Sequence, residues 1–268
     1  MSTIERTEIN GEPATLGDMR RLAATNYGHF TAMRVVDGKV RGLQFHLDRL
    51  KRSTLELFGS ELDIAFVRAC LRHAIAGDGD ALSVRVNIFS RAYDRDRPAT
   101  PVDADVLVMV NPAGDSSDTA LRVKSFRYER ESPHVKHVGT FPLFRHRRQA
   151  QQAGYDDTLF VDRDDCISEG SIWNIGFFDG ESVVWPDARQ LEGVSKQVLQ
   201  AGLAQRGVRS RTQSVPLQAI GGYRAVFFTN SSQPVRAIAR IDDTEFAVDA
   251  KFVAMLAACY DSVPDERI

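Results

Sequence analysis

The first half of the chain alternates between strand-like and helix-like spacing of its hydrophobic residues. Apolar and polar residues alternate on both sides of Asp37-Gly38, a dipeptide that favours a two-residue turn, so residues 28–42 are predicted to form a β-hairpin. Residues 82–89 and 106–110 are predicted to be strands. Between the hairpin and these strands, two helices are predicted from apolar residues at helical spacing, namely Leu43, Leu47, Leu50 and Leu57 before a stop at Gly59, then Ile64, Val67, Leu71, Ala74 and Ile75.

A short polar segment divides the chain. Residues 113–120 are rich in turn formers and are predicted to link an α+β domain of residues 1–112 to a sheet-rich domain of residues 121–268. Two helices are predicted in the second domain, one with Pro142 in its first turn and one that begins near Val194. The strands predicted in the second domain are residues 157–162, 174–178 and 182–185, and one on each side of Ser231-Ser232. The pattern therefore predicts a mixed α/β protein of the α+β type.

Composition narrows the class of protein. With 268 residues, 43% hydrophobic and 26% charged, the chain is expected to be soluble and globular. A formal charge of -2 provides no general attraction to nucleic acid, and no apolar run approaches the roughly 20 residues of a membrane span. The charged opening segment is unlike a secretion signal. Three widely spaced cysteines, Cys70, Cys166 and Cys259, indicate reduced thiols in a cytoplasmic protein without a zinc site.

Candidate chemistry is concentrated between Lys136 and Asn174. Lys136 precedes a predicted helix, and Glu169 lies in a turn flanked by glycine and serine before an apolar strand. A lysine and a carboxylate separated by helix, strand and turn can converge on one small ligand from opposite sides. That pair suits a carbonyl cofactor, with the amine at its aldehyde and the carboxylate at a ring nitrogen. The plain alternative is a solvated lysine and a surface glutamate.

Four motifs in order resemble the class IV pyridoxal-phosphate enzymes, which include branched-chain and D-amino-acid aminotransferases and 4-amino-4-deoxychorismate lyase. The resemblance covers about residues 26–242. It implies two α/β domains with pyridoxal 5′-phosphate in the cleft between them, and normally a homodimer. The motifs are His46-Leu47-Asp48-Arg49-Leu50, then Lys136 followed by AQQAGYDDTLFVD and EGSIWN, then Gly193-Val194-Ser195, and finally Thr229-Asn230-Ser231-Ser232.

The resemblance also implies a role for individual residues. Lys136 would hold the cofactor as a Schiff base and move a proton, and Glu169 would pair with the protonated ring nitrogen. Arg49 would bind the phosphate, although a solvated arginine is the plain alternative. A helix start after glycine is an anion site by its unpaired N–H groups, although the Ser195 hydroxyl could instead cap that helix. The further cofactor-binding candidates are Asn174, Val194, Ser195, Ser231 and, with the register uncertain by one, Ser232.

Several positions depart from the aminotransferase pattern. Phe30-Thr31 stands where the family often has an aromatic residue and glutamate, and both this pair and Lys136-His137 resemble the lyase. Lys196 replaces the arginine that follows Gly-Val-Ser in the family. Phe30 and Thr31 are therefore substrate candidates. So are Arg95 and Arg97, for which a flexible charged loop is the alternative, while Arg130 or Arg127 is the candidate for the cofactor's phenolic oxygen.

Three functions remain open from the sequence. The first is an aminotransferase that moves an amino group between an amino acid and a 2-oxo acid. The second is a lyase of the deoxychorismate type, which releases pyruvate with the same cofactor and lysine. The third is a non-catalytic relative that binds the cofactor or a partner protein. No metal, nucleic-acid or membrane partner is expected.

Overall fold

A computed structural model describes residues 5–77 and 81–268, so the charged opening segment lies partly outside the described residues. The chain forms two compact units. The first unit contains Met1–Asp115, Val135–Gly139 and Asp265–Ile268. The second unit contains Ser116–His134 and Thr140–Pro264. The predicted domain limits of 1–112 and 121–268 with a linker at 113–120 stay a prediction.

Helices and strands are both abundant, which confirms the mixed α/β class. A short 3-10 helix, Leu217–Gly222, precedes β13. In chain order the elements are β1 Arg6–Ile9, β2 Glu12–Pro13, α1 Leu16–Thr25, β3 His29–Val35, β4 Lys39–Arg41, α2 Leu43–Phe58, α3 Ile64–Ala74, β5 Leu82–Phe89, β6 Asp105–Pro112, β7 Leu121–Arg127, α4 Phe141–Gln152, β8 Asp157–Val161, β9 Ile167–Gly170, β10 Asn174–Phe178, β11 Val183–Pro186, α5 Val194–Gln205, β12 Ser210–Gln213, β13 Ala225–Thr229, β14 Arg236–Ile241, β15 Thr244–Glu245, α6 Ala250–Ser262 and β16 Asp265–Arg267.

The first unit is an antiparallel sheet in the order β2-β1-β6-β5-β3, with α2 and α3 on its core face. The predicted hairpin is confirmed, since β3 and β4 meet at Asp37 and Gly38, whose φ angles of 50° and 68° lie in the left-handed region. Helix α2 ends as predicted at Gly59, whose N–H donates to the Leu55 carbonyl at 3.0 Å. Its Leu43, Leu47 and Leu50 are fully buried in the core beneath the sheet.

The second unit is built on a nine-stranded sheet in the order β12-β11-β10-β13-β14-β7-β8-β9, with β15 beside β14. Because β9 also pairs with β10, six of these strands make a closed circuit of pairings. One apolar cluster includes Ile175 on β10, Phe228 on β13 and Trp173 in the turn before β10. A second cluster packs α5 and α6 against β11 and β13, and Gly202 lies so close to α6 that an added Cβ would overlap the Cys259 carbonyl.

The predicted strands and helices of the second half are confirmed to within one or two residues. The elements that were not predicted are β1, β2, α1, β7, β9, β12, the 3-10 helix, β15, α6 and β16. Cys70, Cys166 and Cys259 are free thiols, as expected. In the part of the chain that the structure describes, no helix is both long and apolar enough to cross a lipid bilayer.

Candidate functional site

Lys136 lies on a short segment that extends the first unit's sheet beyond β3. The Phe30 N–H donates to the Lys136 carbonyl at 2.9 Å, and His29 and His137 form an antiparallel bridge. These contacts fix the backbone of the lysine. Its Nζ lies 4.9 Å from the centroid of the Phe30 ring, so the partly buried side chain lies over an aromatic face.

Arg85 on β5 contacts the same aromatic ring. Its guanidinium carbon lies 3.6 Å from the Phe30 centroid, and its Nε donates to Asn87 Oδ1 at 2.7 Å. Burial lowers the pKa of Arg85, although a guanidinium keeps its charge in proteins. Phe30 therefore contacts two cations. Arg85 was missed from the sequence because an arginine at an alternate strand position resembles a solvent-facing residue.

Arg49 is buried at 6% exposure on α2, which excludes the solvated alternative. Its Nη2 donates to Thr31 Oγ1 at 2.5 Å, and Thr31 Oγ1 lies 2.6 Å from His46 Nδ1. Burial is the main cause that holds the pKa of His46 well below its usual range, and the positive charges of Arg49 and Lys136 add to it. Burial and these two positive charges therefore keep the His46 ring neutral.

His29, the second buried histidine of this unit, gives a testable pH dependence of the free energy of unfolding. Burial, and secondarily Arg49, lower the pKa of His29 from 6.5 to about 3. Between these values the unfolded chain binds more protons than the folded chain. His29 therefore stabilises the fold fully above pH 6.5, and this contribution is lost as the pH falls towards 3. We expect it to add a slope of about 1.4 kcal/mol per pH unit within that window.

Urea unfolding of wild type and His29→Gln at pH 7, 6 and 5 measures this slope. The glutamine amide can still donate to Thr54 Oγ1, which the His29 Nε2 contacts at 3.0 Å. We expect the variant to lose less stability between pH 7 and pH 5 than wild type. His73→Gln, which replaces an exposed histidine on α3, is the matched control and should follow wild type. Equal slopes for wild type and His29→Gln would contradict a neutral buried His29.

Glu169 lies on β9 in the second unit and is 3% exposed, so it is not a surface residue. Its Oε1 accepts a hydrogen bond from the Leu191 N–H at 3.2 Å and lies 3.8 Å from Arg130 Nε. Asn174 pairs with it across β9 and β10, and the Asn174 Nδ2 donates to Gln190 Oε1 and to the Leu191 carbonyl. Glu169 and Asn174 therefore hold the same loop ahead of α5.

That loop ends at Gly193, the N-cap residue of α5. No side chain caps this helix, so the Ser195 hydroxyl does not serve as the N-cap, and Ser195 is 3% exposed. An added Cβ at Gly193 would overlap Asn174 Oδ1, which explains the glycine. Among the residues that the structure describes, no side chain caps the first-turn N–H groups of α5, as an anion site requires. Lys196, where the family has arginine, forms an ion pair with Glu192 at 2.9 Å.

Thr229 ends β13 beside these residues. It pairs in register with Asn174, which also pairs with Glu169, so the three lie on neighbouring strands. Thr229 is 1% exposed, and its Oγ1 has no hydrogen-bond partner among the described residues. In the turn that follows, Ser231 is partly buried and Ser232 is exposed. A buried hydroxyl of this kind, a serine turn and an uncapped helix start provide donors that fit a phosphate group.

The turn between Glu169 and Asn174 is held by Asp157 on β8. Its carboxylate accepts hydrogen bonds from Ser171 Oγ at 2.7 Å and from Trp173 Nε1 at 3.0 Å, and it is 3% exposed. Arg147 Nε lies 3.5 Å away. Asp157 is thus a structural support of the site. The sequence places it in the strand motif but does not reveal these partners.

Asp157→Asn should lower the free energy of unfolding by about 2 kcal/mol. The amide cannot accept from both Ser171 and Trp173, so one buried donor loses its partner. Urea unfolding followed by tryptophan fluorescence measures the loss. Asp156→Asn is the matched control, because its carboxylate pairs with the exposed Arg122, and it should cost less than about 1 kcal/mol. Equal losses for the two variants would contradict the role of Asp157.

The remaining sequence candidates are more dispersed. Arg95 and Arg97 are exposed, and Arg97 Nε pairs with Asp94 at 2.9 Å. Arg130 lies against Glu169, and Arg127 pairs with Asp165 at 2.5 Å. Within residues 5–77 and 81–268, no group of His, Cys, Asp or Glu side chains is arranged to hold a metal ion.

A model of the family described as amino-transferase class IV matches residues 28–241. The chain belongs to the class IV aminotransferase family. It is therefore an enzyme of a family that depends on pyridoxal phosphate. The match includes every motif residue described above, from Phe30 to Ser232.

Individual members of the class IV family resemble the whole chain. A probable branched-chain-amino-acid aminotransferase of Rickettsia bellii is 24% identical over 259 residues, 87% of this chain and 86% of that protein. The branched-chain aminotransferase of Thermoproteus uzoniensis has a TM-score of 0.84 at 16% identity, over 97% of this chain and 94% of that one. A putative 4-amino-4-deoxychorismate lyase of Legionella pneumophila has a TM-score of 0.77 at 20% identity, over 91% of this chain and 93% of that one.

Proposed function

We propose that the protein is a pyridoxal-phosphate-dependent aminotransferase that transfers an amino group between an amino acid and a 2-oxo acid. The observation that carries the proposal is the cluster in the second unit. Glu169, Asn174 and Thr229 lie in register on three neighbouring strands, beside the uncapped start of α5. A buried carboxylate next to phosphate-type donors suits a ring nitrogen and a phosphate of one ligand.

Each residue would have a distinct task. Bound pyridoxal phosphate supplies an electron sink for the electron pair left at the substrate's Cα. The Lys136 Nζ attaches the cofactor and carries a proton to and from that carbon, which requires a neutral amine near physiological pH. Glu169 holds a proton at the ring nitrogen. The N–H groups of Val194 and Ser195, and Ser231 with Ser232 adjacent, would bind the phosphate, and Arg49 is a further proposed phosphate ligand.

Substrate recognition and assembly complete the proposal. Phe30, Arg95 and Arg97 are the proposed substrate contacts, and Arg130 is the candidate for the phenolic oxygen of the cofactor. The proposed working form is a cytoplasmic homodimer with no membrane or nucleic-acid partner, and sedimentation velocity tests the dimer. The Rickettsia relative is named a probable branched-chain-amino-acid aminotransferase and the Thermoproteus relative a branched-chain aminotransferase, which supports branched-chain amino acids as the first substrates to try.

A lyase is the second candidate function, and two sequence observations favour it. Phe30-Thr31 and Lys136-His137 resemble the 4-amino-4-deoxychorismate lyases more than the aminotransferases. The Legionella relative with that putative activity has a similar fold. The same lysine, glutamate and phosphate donors would serve this reaction, because both reactions begin by removing a proton from the substrate's Cα.

One experiment separates these functions. The protein is loaded with pyridoxal phosphate, its visible spectrum is recorded, and a panel of L- and D-amino acids is added with 2-oxoglutarate. An aminotransferase shows a spectral shift with an amino acid alone and forms glutamate with the acceptor. Pyruvate release from aminodeoxychorismate without any acceptor would identify the lyase. A spectrum that does not respond to any of these substrates would contradict both proposals.

A further inference from the structure

Three buried side chains of the first unit form one hydrogen-bonded network. Thr31 on β3 is fully buried, and His46 and Arg49 on α2 are 2% and 6% exposed. Arg49 Nη2 lies 2.5 Å from Thr31 Oγ1, which lies 2.6 Å from His46 Nδ1. The Thr31 hydroxyl thus connects His46 and Arg49, two residues of one family motif.

The donors and acceptors of this network favour one arrangement, in which every proton among the three side chains has an acceptor. A guanidinium only donates, so Thr31 Oγ1 accepts from Arg49. The hydroxyl has one proton, which it donates to His46 Nδ1. A protonated His46 would present a second donor and leave the hydroxyl proton without an acceptor. The lowered pKa of His46 agrees with a neutral ring that accepts at Nδ1.

We propose that Thr31 is a positioning residue that orients the Arg49 guanidinium for the cofactor phosphate, and that it does not contact the substrate. The inference rests on the proposed function of Arg49. A guanidinium that is already held in one orientation loses less conformational freedom when it binds a phosphate dianion. The hydroxyl at position 31 therefore increases the preference of the protein for pyridoxal phosphate over pyridoxal, which lacks the phosphate.

The test measures the dissociation constants of pyridoxal phosphate and of pyridoxal for the cofactor-free protein. For Thr31→Val we expect a roughly tenfold weaker affinity for pyridoxal phosphate, because a hydrogen bond to a charged group is removed. The affinity for pyridoxal should change less than about twofold, since pyridoxal does not use Arg49. Arg49→Ala gives the reference for complete loss of the contact. Thr31→Ser keeps the hydroxyl and should retain the wild-type ratio.

Thr54→Val is the matched control for the loss of a buried hydroxyl. Thr54 lies on α2, the helix that carries Arg49, and is fully buried. Its hydroxyl contacts His29 and donates to the Leu50 carbonyl. This variant should lose stability but keep the wild-type ratio of the two affinities. If Thr31→Val does not fold, Thr31→Cys replaces it, since a thiol accepts hydrogen bonds weakly, and the ratio should fall in the same direction.

The outcomes separate the inference from the proposed function. A Thr31→Val or Thr31→Cys protein with the wild-type ratio overturns the role of Thr31 and leaves the proposed function intact. Equal weakening of both ligands also overturns it, because the effect would then be a general structural one. A wild-type protein that binds pyridoxal as tightly as pyridoxal phosphate overturns the phosphate site itself, and the inference with it.

Discussion

Replacing Lys136 by alanine lowers kcat by roughly 10³-fold or more, because the amine that attaches the cofactor and moves the proton is removed. The variant should still fold, since the backbone bond from the Phe30 N–H to the Lys136 carbonyl does not depend on the side chain. Cofactor should bind weakly and without covalent attachment. Steady-state kinetics with an amino acid that the panel finds to react measure the loss, and circular dichroism checks the fold.

Lys51→Ala is the matched control for this prediction. Lys51 lies on α2 in the same unit and is exposed, so its loss should leave kcat within about twofold of wild type. A Lys136→Ala protein with wild-type activity would remove the lysine from the mechanism.

Replacing Glu169 by glutamine should lower kcat by roughly 10²-fold or more while changing cofactor affinity far less. Glutamine keeps the size of the side chain and an oxygen that accepts from the Leu191 N–H. It removes the negative charge that holds a proton on the ring nitrogen, so the cofactor becomes a weaker electron sink. Single-turnover kinetics measure proton removal from the substrate, and equilibrium titration measures cofactor binding.

Two further measurements bear on Glu169. Glutamine leaves the buried Arg130 guanidinium, 3.8 Å away, beside a neutral amide, so the free energy of unfolding should also fall by about 3 kcal/mol. Glu181→Gln is the control, because this carboxylate of the same unit and its partner Arg209, 3.6 Å away, are both exposed, and it should alter neither kcat nor stability by much. A Glu169→Gln enzyme that removes the substrate proton at the wild-type rate would show that this carboxylate does not serve the cofactor.

The local structure was predictable from the sequence where one short signal decides it. Asp37-Gly38 fixes a turn with two positive φ angles, and Gly59 stops α2 at a left-handed residue. Helix α6 was missed because its apolar residues surround the helix rather than forming one stripe. Strands β9 and β12 were missed because β9 has one apolar residue and β12 has none, too few for a periodic pattern.

The candidate site was predictable only as far as its motifs. The resemblance made Lys136, Glu169, Arg49 and Ser195 candidates by their order along the chain. Contacts made by residues distant in sequence needed the structure. Examples are the contact of Arg85 with Phe30, the hydrogen bond between Asn174 and Gln190, and the hydrogen bond from Ser171 to Asp157. Strand pairing and loop packing determine these contacts.

Lys136 is the proposed attachment point of pyridoxal phosphate. To test this, the protein is loaded with the cofactor, reduced with borohydride and digested, and the modified peptide is found by mass spectrometry. We expect a stable phosphopyridoxyl group on the peptide that contains Lys136, and on no peptide of Lys136→Ala. A protein that gains no such group, or carries it on another lysine, would rule out Lys136 as the residue that holds the cofactor.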